Sequence, residues 1–389
     1  MVEQPFIFVT FLIFFGAALL ATVALYARQA MIVAYIFAGV LAGPHVLGLV
    51  TDAAWIEDLS EVGIMFLLYL LGLNMEPRQL WRMLGEALGV TLLSSVVFFV
   101  AGLIVMLLAG WPTNEAVLVG AAMMFSSTII GLKLLPTTTL HHRHTGQLMI
   151  SVLLAQDLLA ILVLVVLQET TNAAAPSAGA GLRLLALPLL LVLTFACEKV
   201  VLEPLIARFD QIQEYLFLLV IGWCLAVAEA AAALGLSHEI GAFIAGVALA
   251  TCPVAAFVAD SLRPLRDFFL VMFFFALGAG FDLGLLPAIW GEALALCLLM
   301  LAGKPLVFRW LFIRAGERAR QSLEVGVRLG QISEFSFLIA VMAQSGGLLT
   351  PLGGAIVKLA TLLTFVISSY LIVMRYPTPI AVSDSLRRD

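Results

Sequence analysis

The residues able to do chemistry are few, and they sit where charge is expensive. Ile150 to Leu167 reads ISVLLAQDLLAILVLVVL, an apolar helix-length run interrupted only by Gln156 and Asp157. An ionisable group at mid-membrane depth costs about 3 kcal/mol or more, so it is retained where it meets an aqueous cavity, a partner charge or an ion. Asp157 can bind and release a proton, whereas Gln156 offers a carbonyl oxygen and two N–H donors but does not titrate. One neighbour binds and releases protons, and the other can only coordinate. MMFSSTIIG at 123–131 places Ser126, Ser127 and Thr128 in the middle of another apolar run. RLGQISEFS at 328–336 does the same with Ser333 and Glu334. Carbonyls freed at such interruptions can coordinate a cation, with hydroxyls satisfying the remaining backbone groups; Ser and Thr that merely pack helices are the alternative.

Two further charges accompany them. Lys304, in LMLAGKPLVF, precedes Pro305, which weakens the local helical ladder. Its ammonium could pair with a carboxylate, bond open carbonyls, or snorkel to the cytoplasmic side. Glu334 could neutralise an interrupted helix or pair with a base such as Arg328. His141, His142, Arg143 and His144 form a cluster that could respond to pH or serve as a solvated basic loop.

The elements that must position these groups follow from composition. The chain of 389 residues is 63% hydrophobic and 12% charged, outside the range of soluble domains. It reads as an all-α polytopic membrane protein. At about 20 apolar residues per span, thirteen candidate helices run approximately 5–26, 30–49, 58–74, 84–109, 114–135, 146–168, 182–202, 213–234, 238–252, 266–283, 289–313, 321–345 and 353–374. The first span has no basic residue before Arg28 and is expected to be retained rather than cleaved. Arg and Lys gather at one set of alternate loops, which puts the N-terminus outside and the C-terminus in the cytoplasm. Cys197, Cys224, Cys252 and Cys297 lack metal-ligand spacing and are expected to be reduced packing residues.

FAGVLAG at 37–43 recurs as IAGVALA at 244–250, and GLNME at 72–76 recurs as GAGFD at 278–282, offsets of 207 and 206 residues. The displacement is seven spans, an odd number, so equivalent helices would run in opposite directions. The expected organisation is a transport domain over 1–375, with repeat one near 1–170, a linker helix near 182–202 and repeat two near 213–375, followed by a short tail over 376–389. Inverted repeats of this kind place a transport site at their interface, at crossed discontinuous helices. Adding 206 to Ser126–Thr128 lands on Ile332–Glu334. Asp157 has no such twin, because position 363 is Leu.

The motifs SSTIIGLKLL at 126–135, LLAQDLLAI at 153–161, GLSHEIGAFIAGVALA at 235–250, AGKPLVF at 302–308 and LGQISEFSF at 329–337 resemble, in order and over nearly the whole chain, the Kef-type monovalent cation/proton antiporters of bacteria. The resemblance implies a sodium/proton-antiporter-like fold in a bacterial inner membrane and no cofactor. It implies that Asp157 carries cation and proton alternately, that Gln156 occupies the position linked with potassium, and that Ser126, Ser127 and Thr128 lie at an unwound crossing near Lys304. Sodium-selective relatives carry Asn-Asp or Asp-Asp in place of the Gln-Asp pair. A homodimer is implied too, with a core bundle moving against a dimerisation bundle. Glutathione-gated members carry a His-Ala-Leu-Glu-like loop and a nucleotide-binding regulatory domain. Here the loop reads FVADSLRPLRDFF and the chain stops soon after the last span, so either an ungated member or a shortened chain is expected, with a regulatory domain or subunit left open.

The expected activity is electroneutral exchange of potassium, or of sodium or rubidium, for a proton. Burial favours the neutral acid and a neighbouring cation favours the anion, so the two can be balanced at one carboxylate. A channel, and an organic-anion symporter on crossed broken helices, are the competing uses of such a scaffold. An enzyme is disfavoured, since no nucleophile, base or metal cluster is recognisable, and no nucleic-acid partner is expected.

Overall fold

The computed structural model describes residues 6–50, 53–73, 77–135, 144–173, 180–209, 212–252 and 255–378. The described residues are almost entirely helical. The first half holds α1 (Phe6–Tyr26), α2 (Met31–Ala42), α3 (Ala53–Leu73), α4 (Pro77–Leu108), α5 (Thr113–Met123), α6 (Thr128–Lys133) and α7 (His144–Ala173). Next come α8 (Ala180–Cys197), running into a π-helical turn at Glu198–Leu202, and α9 (Glu203–Phe209). The second half holds α10 (Gln213–Ala233), α11 (His238–Leu249), α12 (Ala255–Ser261), α13 (Arg263–Ala279), α14 (Leu286–Arg314), α15 (Ala319–Arg328), α16 (Glu334–Ser345) and α17 (Pro351–Arg375).

Among the described residues seven helical segments are apolar and long enough to cross a bilayer, and shorter apolar helices lie at 31–42, 61–73, 238–249 and 334–345. The first helix, α1, has its two faces divided by one-turn steps. Val9, Ile13 and Ala17 are buried, while Phe11, Phe15 and Leu19 are exposed. An exposed aromatic and aliphatic face on a helix of 21 residues, about 31 Å long, is suited to hydrocarbon rather than water.

The helices pair in two groups. α1, α2, α3, α8, α10, α11, α12 and α13 pack among themselves, as do α4, α5, α7, α14, α15, α16 and α17. Among the described residues the one substantial helix pairing between the groups joins α2 to α17.

Two crossings hold the first group together, and both require glycine. A Cβ on Gly39 of α2 would overlap the carbonyl oxygen of Phe275 in α13, and one on Gly246 of α11 would overlap that of Tyr69 in α3. Gly278 meets Ile36 and Gly72 meets Phe243 in the same way. Phe275 follows Tyr69 by 206 residues and Phe243 follows Ile36 by 207, so one crossing repeats the other residue for residue. The second group carries a matching pair: Gly120 lies against the Phe99 carbonyl, and Gly326, 206 residues later, against the Pro305 carbonyl. Helices with no hydrophobic drive to associate in lipid gain dispersion energy by such close approach, which only small residues permit.

Candidate functional site

The second group contains two interrupted helices. α5 ends at Met123 and α6 begins at Thr128; α15 ends at Arg328 and α16 begins at Glu334. Local chemistry explains the restarts. Ser127 Oγ accepts from Ile130 N at 3.2 Å and Ser333 Oγ accepts from Phe335 N at 3.1 Å, so each serine caps the half-helix that follows.

Unpaired backbone groups at this depth cost several kcal/mol each, roughly, so each interruption must find partners within the protein. Gln156 of α7 provides two for the first: its Oε1 accepts from Ser126 N at 3.0 Å and its Nε2 donates to Met124 O at 3.4 Å. Thr364 Oγ1 of α17 accepts from Ile332 N, 206 residues after Ser126, at 3.1 Å. Gln331 Nε2 donates to Ser127 O at 3.3 Å, and its Oε1 accepts from Ser368 Oγ at 3.0 Å. Ser126 Oγ donates to Leu329 O at 2.8 Å, and Ser336 Oγ donates to Ala122 O. The two interruptions are thereby stitched to each other and to α7 and α17.

Lys304 of α14 is fully buried and lies at the centre of this crossing. Its Nζ donates to Phe125 O, to Gln331 O at 3.0 Å and to Ser126 Oγ at 3.3 Å. Ser126 has already given its only hydroxyl hydrogen to Leu329 O, so it can only accept from Lys304. Three acceptors thus face Nζ, matching the three N–H groups of an ammonium. Of the three roles open to Lys304, the carbonyl-bonding one is adopted, and none of its hydrogen bonds goes to a carboxylate. The ammonium also lies 5.3 Å from the centroid of the Phe98 ring.

Asp157 is 1% exposed, and each of its oxygens lies 3.1 Å from Thr128 Oγ1. Glu334 Oε1 accepts from Ile129 N at 3.3 Å, while its Oε2 is buried without a hydrogen-bond partner among the described residues. The Asp157 and Glu334 carboxylates lie within electrostatic reach of each other. Both meet the first turn of α6.

The structure therefore joins Thr128 to Asp157, and Gln156 and Lys304 to Ser126. Gln156 is engaged by the backbone at both ends of its amide and braces the interruption beside Asp157. One alternative left open by the sequence drops out. Arg328 does not pair with Glu334: it is 1% exposed and donates to Glu324 Oε1 at 3.1 Å, Leu134 O at 3.1 Å and Pro377 O at 2.9 Å. The side chains of His141, His142, Arg143 and His144 lie outside the described residues. Sequence reasoning missed Gln331, Thr364, Ser368 and Phe98. Phe98 had a usable signal, since it precedes Lys304 by 206 residues, and Gln331 follows Phe125 by the same interval.

The profile described as sodium/hydrogen exchanger, transmembrane, matches residues 10–374. The chain belongs to the sodium/hydrogen exchanger family. As a member it is a multi-pass membrane protein of a transporter family rather than an enzyme. The glutathione-regulated potassium-efflux system protein KefC of Salmonella schwarzengrund is 32% identical over 377 residues, covering 93% of this chain and 59% of that protein. The iron transporter MagA of Paramagnetospirillum magneticum is 28% identical over 348 residues, covering 88% of this chain and 79% of that protein. The chain thus spans somewhat over half the length of its KefC relative. The structure of the sodium proton antiporter MjNhaP1 from Methanocaldococcus jannaschii at pH 8 superposes with a TM-score of 0.66 at 18% identity, covering 93% of this chain and 94% of that one. This exchanger therefore has the antiporter fold.

Proposed function

We propose that the protein exchanges potassium for protons across a bacterial cytoplasmic membrane by alternating access, one cation against one proton, with both competing for Asp157. One observation carries the reading: a carboxylate 1% exposed in the bundle, bonded through both oxygens to a single hydroxyl and, among the described residues, to no cationic side chain. A carboxylate so placed is stable only when it holds a proton or a cation. Thr128 Oγ1 is the neutral oxygen hydrogen-bonded to it, and Gln156 braces the adjacent backbone.

The empty, charged site is barred from crossing the apolar barrier, so the bundle changes sides only when loaded or protonated. That rule makes an exchanger and not a leak. Ile161 and Leu164 lie one and two turns from Asp157 on the same face of α7, and with Phe243 and Met342 they line a cleft between the two helix groups, beside Glu239. In this reading they form an apolar seal on the outer side. Similarity to KefC favours potassium over sodium. The matched crossings support two inverted halves around a linker helix. Pairing of the helices in two groups supports a core, comprising α4–α7 and α14–α17, that moves against a scaffold. A homodimer joined through the scaffold, an external N-terminus and a cytoplasmic C-terminus complete the proposal.

The test is proton exchange against potassium, sodium and rubidium in proteoliposomes, for the native chain and for Asp157→Asn. Exchange by the native protein and its loss in a folded Asp157→Asn variant are expected. Full exchange by the variant would overturn the assignment of Asp157.

A further inference from the structure

Coupling of the kind just proposed depends on the total charge at the crossing, and the structure permits a count. Lys304 Nζ faces three acceptors, the number an ammonium can serve, and all three tie it to the interruptions that flank Asp157. If Asp157 and Lys304 were the only charges, the empty site would be neutral and the loaded site would carry one positive charge. The empty carrier would then cross freely and the loaded one would not, which is the reverse of what exchange requires.

Glu334 supplies the missing charge. It opens α16 at the second interruption, and its Oε1 is anchored by Ile129 N at the start of α6. The same carboxylate also faces the Thr128 N–H and the Ser127 hydroxyl, so it meets a set of donors of the kind an anion accepts from, which Asp157 with its single hydroxyl lacks. Among the described side chains, neither Arg328 nor Lys304 neutralises it: Arg328 is bound to Glu324, Leu134 O and Pro377 O, and Lys304 to carbonyls and a hydroxyl. Lys358 lies on α17, partly exposed, and none of the hydrogen bonds at the crossing reaches it.

We propose that Glu334 is the charge-balancing carboxylate of the transport site, remaining anionic through the cycle so that Asp157, Glu334 and Lys304 together carry one negative charge. One monovalent cation or one proton then brings the site to neutrality, and neither ion leaves an excess. This rests on the antiporter reading above and adds what sets its stoichiometry. Glu334 stands 206 residues after Thr128, so the hydroxyl that meets Asp157 and the carboxylate that balances Lys304 occupy matching places at the two interruptions.

The experiment records exchange and charge movement together, by proton flux in proteoliposomes and by capacitive current on a solid-supported membrane after a potassium jump. The full chain is compared with Glu334→Gln, Glu334→Asp and the double variant Glu334→Gln/Lys304→Gln. Native exchange without sustained charge movement is expected. Glu334→Gln should move net charge with each turnover, or lose exchange while Glu334→Asp keeps it. Either result supports the balance. The double variant, which removes one charge of each sign, should recover exchange without current and also tests the idea if Glu334→Gln alone fails to fold. Native exchange that itself carries charge overturns the proposal. So do a Glu334→Gln variant as electroneutral as the native chain, an inactive Glu334→Asp, or a double variant no better than the single. A native chain with no exchange at all, by contrast, would overturn the antiporter reading itself.

Discussion

Lys304 and Phe98 are 206 residues apart, the interval that relates the matched crossings, and they meet with the ammonium 5.3 Å from the ring centroid. Lys304 also bonds the carbonyls of Phe125 and Gln331, which differ by the same interval. A single side chain from one half thus closes both interruptions, and its counterpart in the other half provides a π-face in place of a second charge. A second ammonium here would add positive charge beside carbonyls that already accept from Lys304.

Replacing Lys304 with Met should leave two buried carbonyls unpaired, at about 1–3 kcal/mol each. The expected result is a melting temperature in detergent several degrees lower than the native value, measured by thermal unfolding, with Lys304→Arg recovering part of the loss. A native melting temperature for Lys304→Met would show that the crossing does not depend on this tie.

Thr128 Oγ1 donates to Asp157 through a hydrogen that both carboxylate oxygens share. Thr128→Val keeps the shape and removes the oxygen, so the potassium concentration for half-maximal exchange should rise several-fold, while Thr128→Ser stays near native. Flux assays over a potassium series read this directly.

Gly39 and Gly246 face opposing carbonyls at the matched crossings. Gly246→Ala and Gly39→Ala should each destabilise by about 1–3 kcal/mol through overpacking. Thermal unfolding should give similar losses for the two, and it should give almost none for Gly291→Ala, where a Cβ meets nothing.

Arg328 fastens the end of α15 to Leu134 O and Pro377 O. Arg328→Gln should cost roughly 2–4 kcal/mol, since it leaves two carbonyls short of a donor and Glu324 without its partner. Hydrogen exchange should then rise in α15 and after Arg375, and α1 should be unaffected. Uniform exchange throughout the chain would contradict a local clamp.

Much of the fold was legible because the bilayer leaves few choices: apolar runs become helices, and hydroxyl-rich interruptions such as Ser126–Thr128 mark where one gives way. The recurrence of Gly39 at Gly246 pointed to a relation that only packing explains, since glycine spacing is a backbone-to-backbone contact seen from one side. The partners at the site were less legible. A sequence shows that Gln156 can coordinate but not that the backbone of Met124 and Ser126 engages it first. Arg328 was weighed against Glu334, six residues away, whereas Glu324, one helical turn before it, was the geometric choice. Contacts such as Lys304 to Phe125, 179 residues apart, depend on helices meeting in space and leave no local trace.

The sparse contact between the two helix groups has a mechanical consequence. Among the described residues no backbone hydrogen bond joins the surfaces that meet through Ile161, Leu164, Phe243 and Met342, so a shift of one group past the other would exchange one greasy neighbour for the next. The hydrogen-bonded knot around Lys304 lies wholly inside one of those groups. Motion across that seam would therefore carry the knot along intact and change only which bank of the membrane it looks out upon.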